Sequence, residues 1–247
     1  MARKQKAELK ILYLQIRDDA ETREEELLEF VRFSGLSRDQ FTVLNVFDTP
    51  RFEPDVMRGH DALFVGGSSD SSVLEPGKYP FVEDSKRLLI YCAERSIPVF
   101  ASCFGFQAAT EALGGNIILD KDRMEMGSYE ITLTDEMKDD PLFRDTPHTF
   151  WAVSGHKERA ERLPASSVAM ASSPRCPYHG FKLIGKPFYA FQFHPEVDKH
   201  DLIARIIRYK ERYLDDDGQL QKIIDTAVET PEANALVHKF IDRIVLG

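Results

Sequence analysis

Cysteine is scarce in this chain of 247 residues, and its spacing argues against two kinds of site. The three cysteines are Cys92, Cys103 and Cys176. An odd number without a C-x-x-C pair indicates neither a disulfide framework nor a zinc site, so reduced thiols are expected. Cys176 with His179, and His194 with His200, come nearest to ligand spacing, but neither pair has companions. We therefore predict no required metal and no cofactor.

Long apolar runs are missing as well. The apolar stretch over residues 11–16 follows a basic start at residues 1–10, but it is too short for the apolar part of a signal peptide. No later stretch approaches the roughly 18 uninterrupted apolar residues that a membrane-spanning helix needs. The sequence therefore predicts a cytoplasmic protein without a membrane partner.

Basic residues are outnumbered, with 32 Lys and Arg against 41 Asp and Glu, which gives a formal net charge of -9. Nucleic-acid binding needs clustered Lys and Arg to neutralise phosphates, so no nucleic-acid partner is expected. Hydrophobic residues make up 43% and charged residues 30%, the balance of a globular chain that buries a sizeable core. The sequence has no internal repeat or low-complexity tract, and its length suits one large domain.

Short apolar runs alternate with amphipathic stretches through the first half of the chain, a pattern typical of β-α-β units. Strands are predicted over residues 10–16, 41–47, 61–65 and 97–102, and helices over 21–33, 80–95 and 104–113. Consecutive strands are then predicted over residues 128–133, 149–153, 167–171, 180–184 and 188–193. We therefore predict a three-layer α/β fold. It has a flavodoxin-like, mostly parallel central sheet, helices on both faces and a small antiparallel addition.

The end of the chain is predicted to be a helical extension. Apolar residues recur at helical spacing over residues 199–214 and 219–228 and again from residue 230 onward, and the acidic residues 215–218 are predicted to form a linker. We expect residues 1–200 to form the main domain and residues 201–247 to pack on that same domain. The amphipathic spacing also suits a docking surface for another protein.

Cys103 stands where a buried strand is predicted to end and a helix to begin. Such a sharp turn exposes the central side chain at the carboxyl edge of the sheet and at a helix N-terminus. Gly105, which has no Cβ, lets neighbouring groups approach the turn. A helix N-terminus and a nearby imidazole can lower a thiol pKa from about 8.5 to roughly 3.5–7.5, which favours the reactive thiolate. An isolated cysteine is more often a small buried residue, so position alone leaves both interpretations open.

A possible partner for this thiol lies at the end of the last predicted strand. Strand alternation puts His194 and Glu196 on the same side, two residues apart. One ring nitrogen of His194 could take the thiol proton while a carboxylate on the other nitrogen fixes the tautomer. A lone histidine at a strand end is more often structural. Spacing alone therefore makes Cys103, His194 and Glu196 only a candidate triad.

Three motifs, in order, resemble those of the class I, triad-type glutamine amidotransferases. The glycine turn of that family is similar to Val65-Gly66-Gly67-Ser68, its C-x-G-x-Q elbow to Cys103-Phe104-Gly105-Phe106-Gln107, and its H-P-E motif to His194-Pro195-Glu196. Residues 126–131, 153–158 and 162–164 are further similar to the glutaminase half of GMP synthase. The resemblance covers roughly residues 10–200, and three ordered motifs together are far more specific than any one of them.

The resemblance implies glutamine hydrolysis through a γ-glutamyl thioester on Cys103, with His194 as base and then acid and Glu196 as its orienting carboxylate. It implies an oxyanion hole made by the backbone N–H groups of Gly67 and Phe104. The substrate-binding residues it implies are Gly66, Gln107, Ser154, Gly155 and His156. The expected substrate is L-glutamine or a γ-glutamyl compound, and the expected partner is a synthase subunit that accepts ammonia.

The sequence also departs from the family pattern at three positions. Ala101 stands where the family usually has glycine, Ser102 replaces an aliphatic residue, and Ser68 follows the two glycines where proline is common. The first two changes remove no catalytic group, whereas Ser68 leaves the shape of the oxyanion turn open. GMP synthase continues into an ATP-cleaving domain, whereas this chain ends in about fifty largely helical residues, so the ammonia acceptor stays open.

Three other interpretations remain. The same triad would serve a stand-alone hydrolase of γ-glutamyl peptides or conjugates. A nucleotide-binding loop at residues 66–71 is disfavoured because Pro76-Gly77 follows where a phosphate-capping helix should begin. A non-catalytic binding module is disfavoured by the complete set of triad residues.

Overall fold

The computed structural model describes residues 4–210 and 217–247. The strands, in chain order, are β1 (Ile11–Gln15), β2 (Phe41–Asn45), β3 (Ala62–Val65), β4 (Val99–Ser102), β5 (Asn116–Leu119), β6 (Glu125–Leu133), β7 (Thr149–His156), β8 (Glu158–Arg162), β9 (Ser167–Ser172), β10 (Gly180–Leu183) and β11 (Phe188–Phe191). The helices are α1 (Ala20–Ser34), α2 (Phe81–Arg95), α3 (Phe104–Ala112), α4 (Lys199–Arg208), α5 (Asp217–Thr226) and α6 (Pro231–Phe240), which continues into a π-helical turn at Ile241–Val245.

Nine of the strands in the described residues form one sheet, in the order β2-β1-β3-β4-β11-β10-β9-β6-β7. The five strands from β2 to β11 are parallel neighbours, and the four that follow pair in antiparallel fashion. β5 and β8 form a separate antiparallel pair. The predicted α/β class is therefore confirmed, with the parallel strands in one half of the sheet and helices around it.

Local sequence signals set the ends of the helices. The Asp19 carboxylate accepts a 2.8 Å hydrogen bond from the backbone N–H of Thr22 and so caps α1. Gly35 ends this helix with φ +67°, in the left-handed region that glycine enters without strain. The sequence predicts both ends to within one residue.

Two features of the second half differ from the sequence-based predictions. β5 and β8 were not predicted. The sequence of β8, Glu-Arg-Ala-Glu-Arg, has only one apolar residue to mark a buried face, whereas β5 is a short apolar run that was missed. Asp217 and Gly218 belong to α5, so the predicted linker is wrong at these two positions; a run of acids near a helix start is also compatible with a helix. Residues 211–214 of the predicted helix, and residues 215 and 216 of the predicted linker, lie outside the described residues.

Apolar side chains pack on both faces of the sheet. On one face Phe64 and Phe100 stack with ring centroids 5.3 Å apart, and Phe30 of α1 meets Phe64 edge-on at 5.3 Å. Phe240 of α6 contacts the same pair, at 5.8 Å from Phe64 and 5.3 Å from Phe100. The last helix therefore shares the core that holds the parallel strands. None of the described helices combines the length and apolar composition that crossing a membrane requires.

Candidate active site

Three adjacent parallel strands bring the three sequence motifs to one edge of the sheet. β4 lies between β3 and β11, with Val65 paired with Ala101 and Phe191 with Ser102. Because parallel strands end on the same side, the residues that follow β3, β4 and β11 converge at the carboxyl edge. The residues concerned are Gly66 and Gly67, Cys103, and His194 to Glu196.

Cys103 occupies a strained turn between β4 and α3. Its φ of +47° and ψ of -99° lie outside the regions that L-residues favour, and Cys103 is the N-cap of the helix. A Cβ on Gly105 would lie 2.9 Å from Val65 Cβ and 3.0 Å from Ala101 Cβ, so the turn needs glycine there. The geometry is that of a nucleophile elbow, in which a tightly packed turn holds the thiol at a helix N-terminus.

The side chain of His194 hydrogen-bonds Glu196 and lies beside Cys103. Its Nδ1 lies 2.7 Å from Glu196 Oε1, which leaves Nε2 as the nitrogen for the sulfur. A Cβ on Gly67 would lie 2.7 Å from His194 Cε1 and 3.5 Å from Cys103 Cβ, so both side chains border the glycine turn at the same point. Burial disfavours a charged ring, but the charges of Cys103 and Glu196 and their hydrogen bonds outweigh it and raise the pKa of His194 to about 10. The raised pKa favours a protonated imidazole at neutral pH.

The glycine turn after β3 lies against both the imidazole and helix α1. A Cβ on Gly67 would lie 2.7 Å from His194 Cε1, so a side chain at this position would collide with the ring. The backbone N–H of Gly67 donates a 3.1 Å hydrogen bond to Oε1 of Glu26, a buried residue of α1. Arg17 Nη2 donates to the same oxygen at 2.8 Å. The Gly67 N–H is therefore already bonded to a carboxylate, whereas Phe104 presents its N–H at the first position of α3.

A cavity of about 380 Å³ opens beside Cys103 and is called the Cys103 pocket below. Its polar and charged lining includes Ser68 to Ser72, Glu75, Gln107, Lys121, His156, Lys157 and Glu158. Its apolar lining includes Leu74, Phe104, Leu119, Met124 and Met126. The pocket therefore offers both signs of charge close to the thiol, with apolar surface around them.

The residues that the resemblance assigns to substrate binding occupy different positions around this pocket. Gln107 lines it, and its Nε2 donates to the Glu158 carbonyl at 3.1 Å. Gly155 also lines it, and its carbonyl lies 3.8 Å from Cys103 Sγ. Ser154 is buried, is absent from this lining and donates to Glu125 Oε2 at 3.0 Å. Gly66 packs against the Glu26 carboxylate.

His156 lines the pocket and also belongs to a buried polar cluster. Its Nε2 lies 3.2 Å from Glu125 Oε2, and His179 Nε2 lies 2.7 Å from the same oxygen. Ligand atoms of His156, Cys176 and His179 all lie within 4.8 Å of one another, a proximity that the sequence spacing did not reveal. Burial lowers the pKa of His156, so its ring is a neutral hydrogen-bond partner of Glu125, and burial raises the pKa of the Cys176 thiol to about 12. Among the described residues neither ring nitrogen of His179 has a hydrogen-bond partner, so the absence of a required metal stays a prediction.

Three residues at the site were not singled out by the sequence reasoning. Ser102 was noted only as a departure from the family pattern, and its hydroxyl donates to Glu196 Oε1 at 3.0 Å. Glu26 lies forty-one residues before Gly67 and had no signal in sequence that connected it to the glycine turn. Glu158 lines the pocket and accepts a 2.6 Å hydrogen bond from Ser72. Each of these contacts is long-range in sequence and depends on the tertiary fold.

The sequence is similar to a known protein family and to individual proteins. The sequence profile of the family described as "Glutamine amidotransferase class-I" matches residues 47–210. The chain is 31% identical over 195 residues to a GMP synthase (glutamine-hydrolyzing) of Thermosipho africanus, and the match covers 78% of this chain and 35% of that protein. It is 30% identical over 118 residues to a glutamine-hydrolyzing GMP synthase subunit of Methanocaldococcus jannaschii, covering 48% and 61%. The chain thus spans less than two thirds of either relative.

Solved structures share the fold over nearly the whole chain. A glutamine amidotransferase from Thermotoga maritima superposes with a TM-score of 0.75 at 20% identity, covering 96% of this chain and 98% of the other. A protein from Thermoplasma acidophilum, described as one subunit of a GMP synthase, gives a TM-score of 0.61 at 21% identity, covering 82% and 96%. At these identities the likeness establishes the common architecture.

Proposed function

Because the chain belongs to the class I glutamine amidotransferase family, we propose that it cleaves the side-chain amide of glutamine, or of a γ-glutamyl compound, with Cys103 as nucleophile. The observation that carries this proposal is that His194 hydrogen-bonds Glu196 and borders the Gly67 turn together with Cys103. A thiol, an imidazole and a carboxylate in this order form the arrangement that activates a nucleophile through a base and orients the base through a third group.

The proposed reaction proceeds through a thioester. Cys103 Sγ bonds to the amide carbon, and His194 gives its proton to the amide nitrogen, which leaves as ammonia from glutamine, or as an amine from another γ-glutamyl compound, when the C–N bond breaks. Water then attacks the γ-glutamyl thioester while His194 takes a proton from it, and glutamate leaves as the sulfur is released. Glu196 keeps its charge throughout and holds Nδ1 of the ring.

Two backbone N–H groups are proposed to stabilise the oxyanion of each tetrahedral intermediate. Phe104 is favoured because the first N–H groups of a helix have no intrahelical partner. Gly67 is proposed as the second donor, and its N–H must then exchange Glu26 for the developing oxyanion. Losing one such donor costs about 3–4 kcal/mol of transition-state stabilisation.

The Cys103 pocket supports an amino-acid substrate that carries both charges. Lys121 and Lys157 offer ammonium groups for a carboxylate, and Glu158 offers a carboxylate for an α-amino group. Gln107, Gly155 and His156 line the same pocket and are proposed as substrate contacts, whereas Gly66 and Ser154 are proposed to act by shaping the turns beside it.

Two functions fit the site, and each is favoured by one observation. The similarity to the GMP synthase subunit of Methanocaldococcus jannaschii favours a chain that hands ammonia to a separate synthase. The volume of about 380 Å³, with Leu74, Leu119 and Met124 in its lining, favours a bulkier γ-glutamyl substrate, since drug-sized ligands occupy pockets of roughly 300–1,000 Å³. Of the two functions we favour that of an ammonia-supplying synthase subunit. We further propose that residues 1–200 are the amidotransferase domain and that residues 201–247 are its extension.

Turnover by the pure chain separates these alternatives. Hydrolysis of glutamine that rises when a cell fraction containing an ATP-cleaving synthase is added supports the synthase subunit. Robust turnover of γ-glutamyl dipeptides by the chain alone supports the stand-alone hydrolase. If neither glutamine nor γ-glutamyl compounds are turned over in either setting, the proposed function is wrong.

A further inference from the structure

Ser102 contacts the carboxylate of the proposed triad from the strand that carries the nucleophile. Its hydroxyl donates a 3.0 Å hydrogen bond to Glu196 Oε1, the same oxygen that lies 2.7 Å from His194 Nδ1. Ser102 and Glu196 are both fully buried. A buried carboxylate needs hydrogen-bond donors to keep its charge, and in the described part of the chain these two groups supply the side-chain hydrogen bonds to Glu196.

The hydroxyl has one proton and two possible acceptors. The Val65 carbonyl lies 3.5 Å from Ser102 Oγ, whereas Glu196 Oε1 lies at 3.0 Å and carries charge. A hydrogen bond to an ionised acceptor is shorter and about twice as strong as one between neutral groups, so the proton points to Glu196. The placement follows from the sheet: Ser102 pairs with Phe191, so the end of β4 lies beside the segment after β11 that leads to Glu196.

We propose that Ser102 is a positioning residue that fixes the ionised Glu196 opposite His194 and thereby supports the imidazolium that activates Cys103. This inference rests on the proposed triad. Ser102 does not line the Cys103 pocket, so its effect on the reaction passes through Glu196 and His194 and not through contact with the substrate. Charged groups near the triad include Arg17 and Glu26 beside Gly67 and the ion pair of Glu29 and Arg205. Those in the lining of the Cys103 pocket are Asp70, Glu75, Lys121, Lys157 and Glu158.

The test compares Ser102→Thr with Ser102→Val, two side chains of the same shape of which only threonine keeps the hydroxyl. Both add a methyl branch at Cβ of a strand residue, so a packing effect is common to both. The readout is the rate constant for alkylation of Cys103 by iodoacetamide from pH 5 to 9, which needs no substrate. We expect Cys103 to be alkylated about tenfold more slowly near neutral pH in Ser102→Val and Ser102→Ala. The acidic limb of the plot of rate constant against pH should shift to higher pH. Ser102→Thr should stay within about threefold of the wild type.

A double-mutant cycle with Glu196→Gln separates positioning from a general loss of structure. In the Glu196→Gln background, Ser102→Ala should slow alkylation less than about threefold, because the charge that the hydroxyl supports is gone. Ser85→Ala is the control, since Ser85 is an equally buried serine whose hydroxyl donates to the Phe81 carbonyl and not to the triad. It should leave alkylation unchanged.

The outcomes decide the inference independently of the proposed function. If Ser102→Thr behaves like Ser102→Val, or if Ser102→Ala costs the same factor in the Glu196→Gln background, the positioning role is wrong. A wild type that turns over neither glutamine nor γ-glutamyl compounds, but still shows the coupled alkylation pattern, would reject the proposed reaction while retaining the role of Ser102.

Discussion

The backbone N–H of Gly67 donates a 3.1 Å hydrogen bond to the carboxylate of Glu26, which belongs to the first helix. Arg17 and Tyr13 donate to the same carboxylate, and all three side chains are buried. The glycine turn of the candidate site is therefore held by an ion pair between α1 and the end of β1. Substitutions in this pair, or of Gly67 itself, should therefore displace the turn and alter the reactivity of Cys103.

Replacing Glu26 with glutamine should destabilise the fold at neutral pH. Burial alone would raise the pKa of Glu26, but Arg17 and the Tyr13 hydroxyl hold it below its usual value. Replacing Glu26 removes the negative partner of a buried ion pair with Arg17, and the expected loss is about 3 kcal/mol in the free energy of unfolding. A lowered pKa stabilises the fold above the unfolded value near 4.5, so the difference from wild type should shrink as the pH falls below that value.

Chemical denaturation of Glu26→Gln and Glu24→Gln between pH 4 and 8 checks this prediction. Glu24 lies on the same helix, but its side chain is exposed and pairs with the exposed Arg38. Its replacement should leave the unfolding midpoint unchanged. Equal midpoints for the two variants at pH 7 would contradict the role assigned to the buried pair.

Gly67→Ala should lower the activity about 100-fold while the fold remains stable. The new Cβ would lie 2.7 Å from His194 Cε1 and 3.0 Å from Arg17 Nη2, and both of these are side-chain atoms that can move aside. The imidazole would leave its place between Cys103 and Glu196, and a displacement near 1 Å lowers a rate about 100-fold. Glutaminase assays and thermal melts measure the two effects separately.

Gly77→Ala is the matched control for this substitution, because a Cβ there meets nothing within 4 Å among the described residues. It should keep wild-type activity and melting temperature. If Gly67→Ala retained activity within about threefold of wild type, the close packing of the turn against His194 would be irrelevant to the reaction.

The protonation of His194 should depend on Cys103. In the wild type the pKa of His194 is raised to about 10, against the effect of burial, by the charges of Cys103 and Glu196. Cys103→Ala removes one of these causes, so the His194 pKa should fall. A raised histidine pKa adds stability that is complete below the unfolded value near 6.5 and is lost as the pH rises through about 10.

Nuclear magnetic resonance titration of the imidazole nitrogens, assigned with His194→Gln, measures this shift. The wild-type resonance should titrate well above pH 7, and the Cys103→Ala resonance at lower pH than the wild type. A wild-type His194 with a pKa near 6.5, and the same pKa in Cys103→Ala, would contradict an interaction between His194 and Cys103.

Metal removal should leave the reaction intact. The buried cluster of Glu125, His156 and His179 is connected at hydrogen-bonding distances of 2.7 and 3.2 Å. We expect full activity after dialysis against a chelator, with elemental analysis as the accompanying measurement. Activity that disappears on chelation and returns with one added metal would show that the cluster, or another site, holds a required ion.

The sequence predicted those parts of the fold that local pattern determines. The strands that end at Val65 and Ser102 are short apolar runs in an alternating β-α-β pattern, which predicted a parallel sheet. The strand that ends at Phe191 was predicted among the antiparallel strands, whereas it pairs in parallel with β4. The family and the fold class are confirmed. The roles of Cys103 and His194 remain predictions, to be decided by chemistry.

What the sequence could not predict depends on pairing across long separations. The partners of Gly67 and Glu196 are Glu26 and Ser102, forty-one and ninety-four residues away, and no local signal connects them. The charged strand β8 forms because β5 provides a pairing partner, which overrides its weak apolar pattern. In each case the tertiary contact decides what the residue does.

Mass spectrometry after treatment with a glutamine-mimicking electrophile, such as a chloroketone analogue, tests the proposed nucleophile most directly. Burial raises the pKa of Cys92 and Cys176 to about 12, so both thiols stay protonated at neutral pH. We predict a single adduct on Cys103 that is absent from Cys103→Ala and retained in Cys92→Ala. An adduct on Cys92 or Cys176, or an unlabelled Cys103 in a protein that still hydrolyses glutamine, would contradict the account.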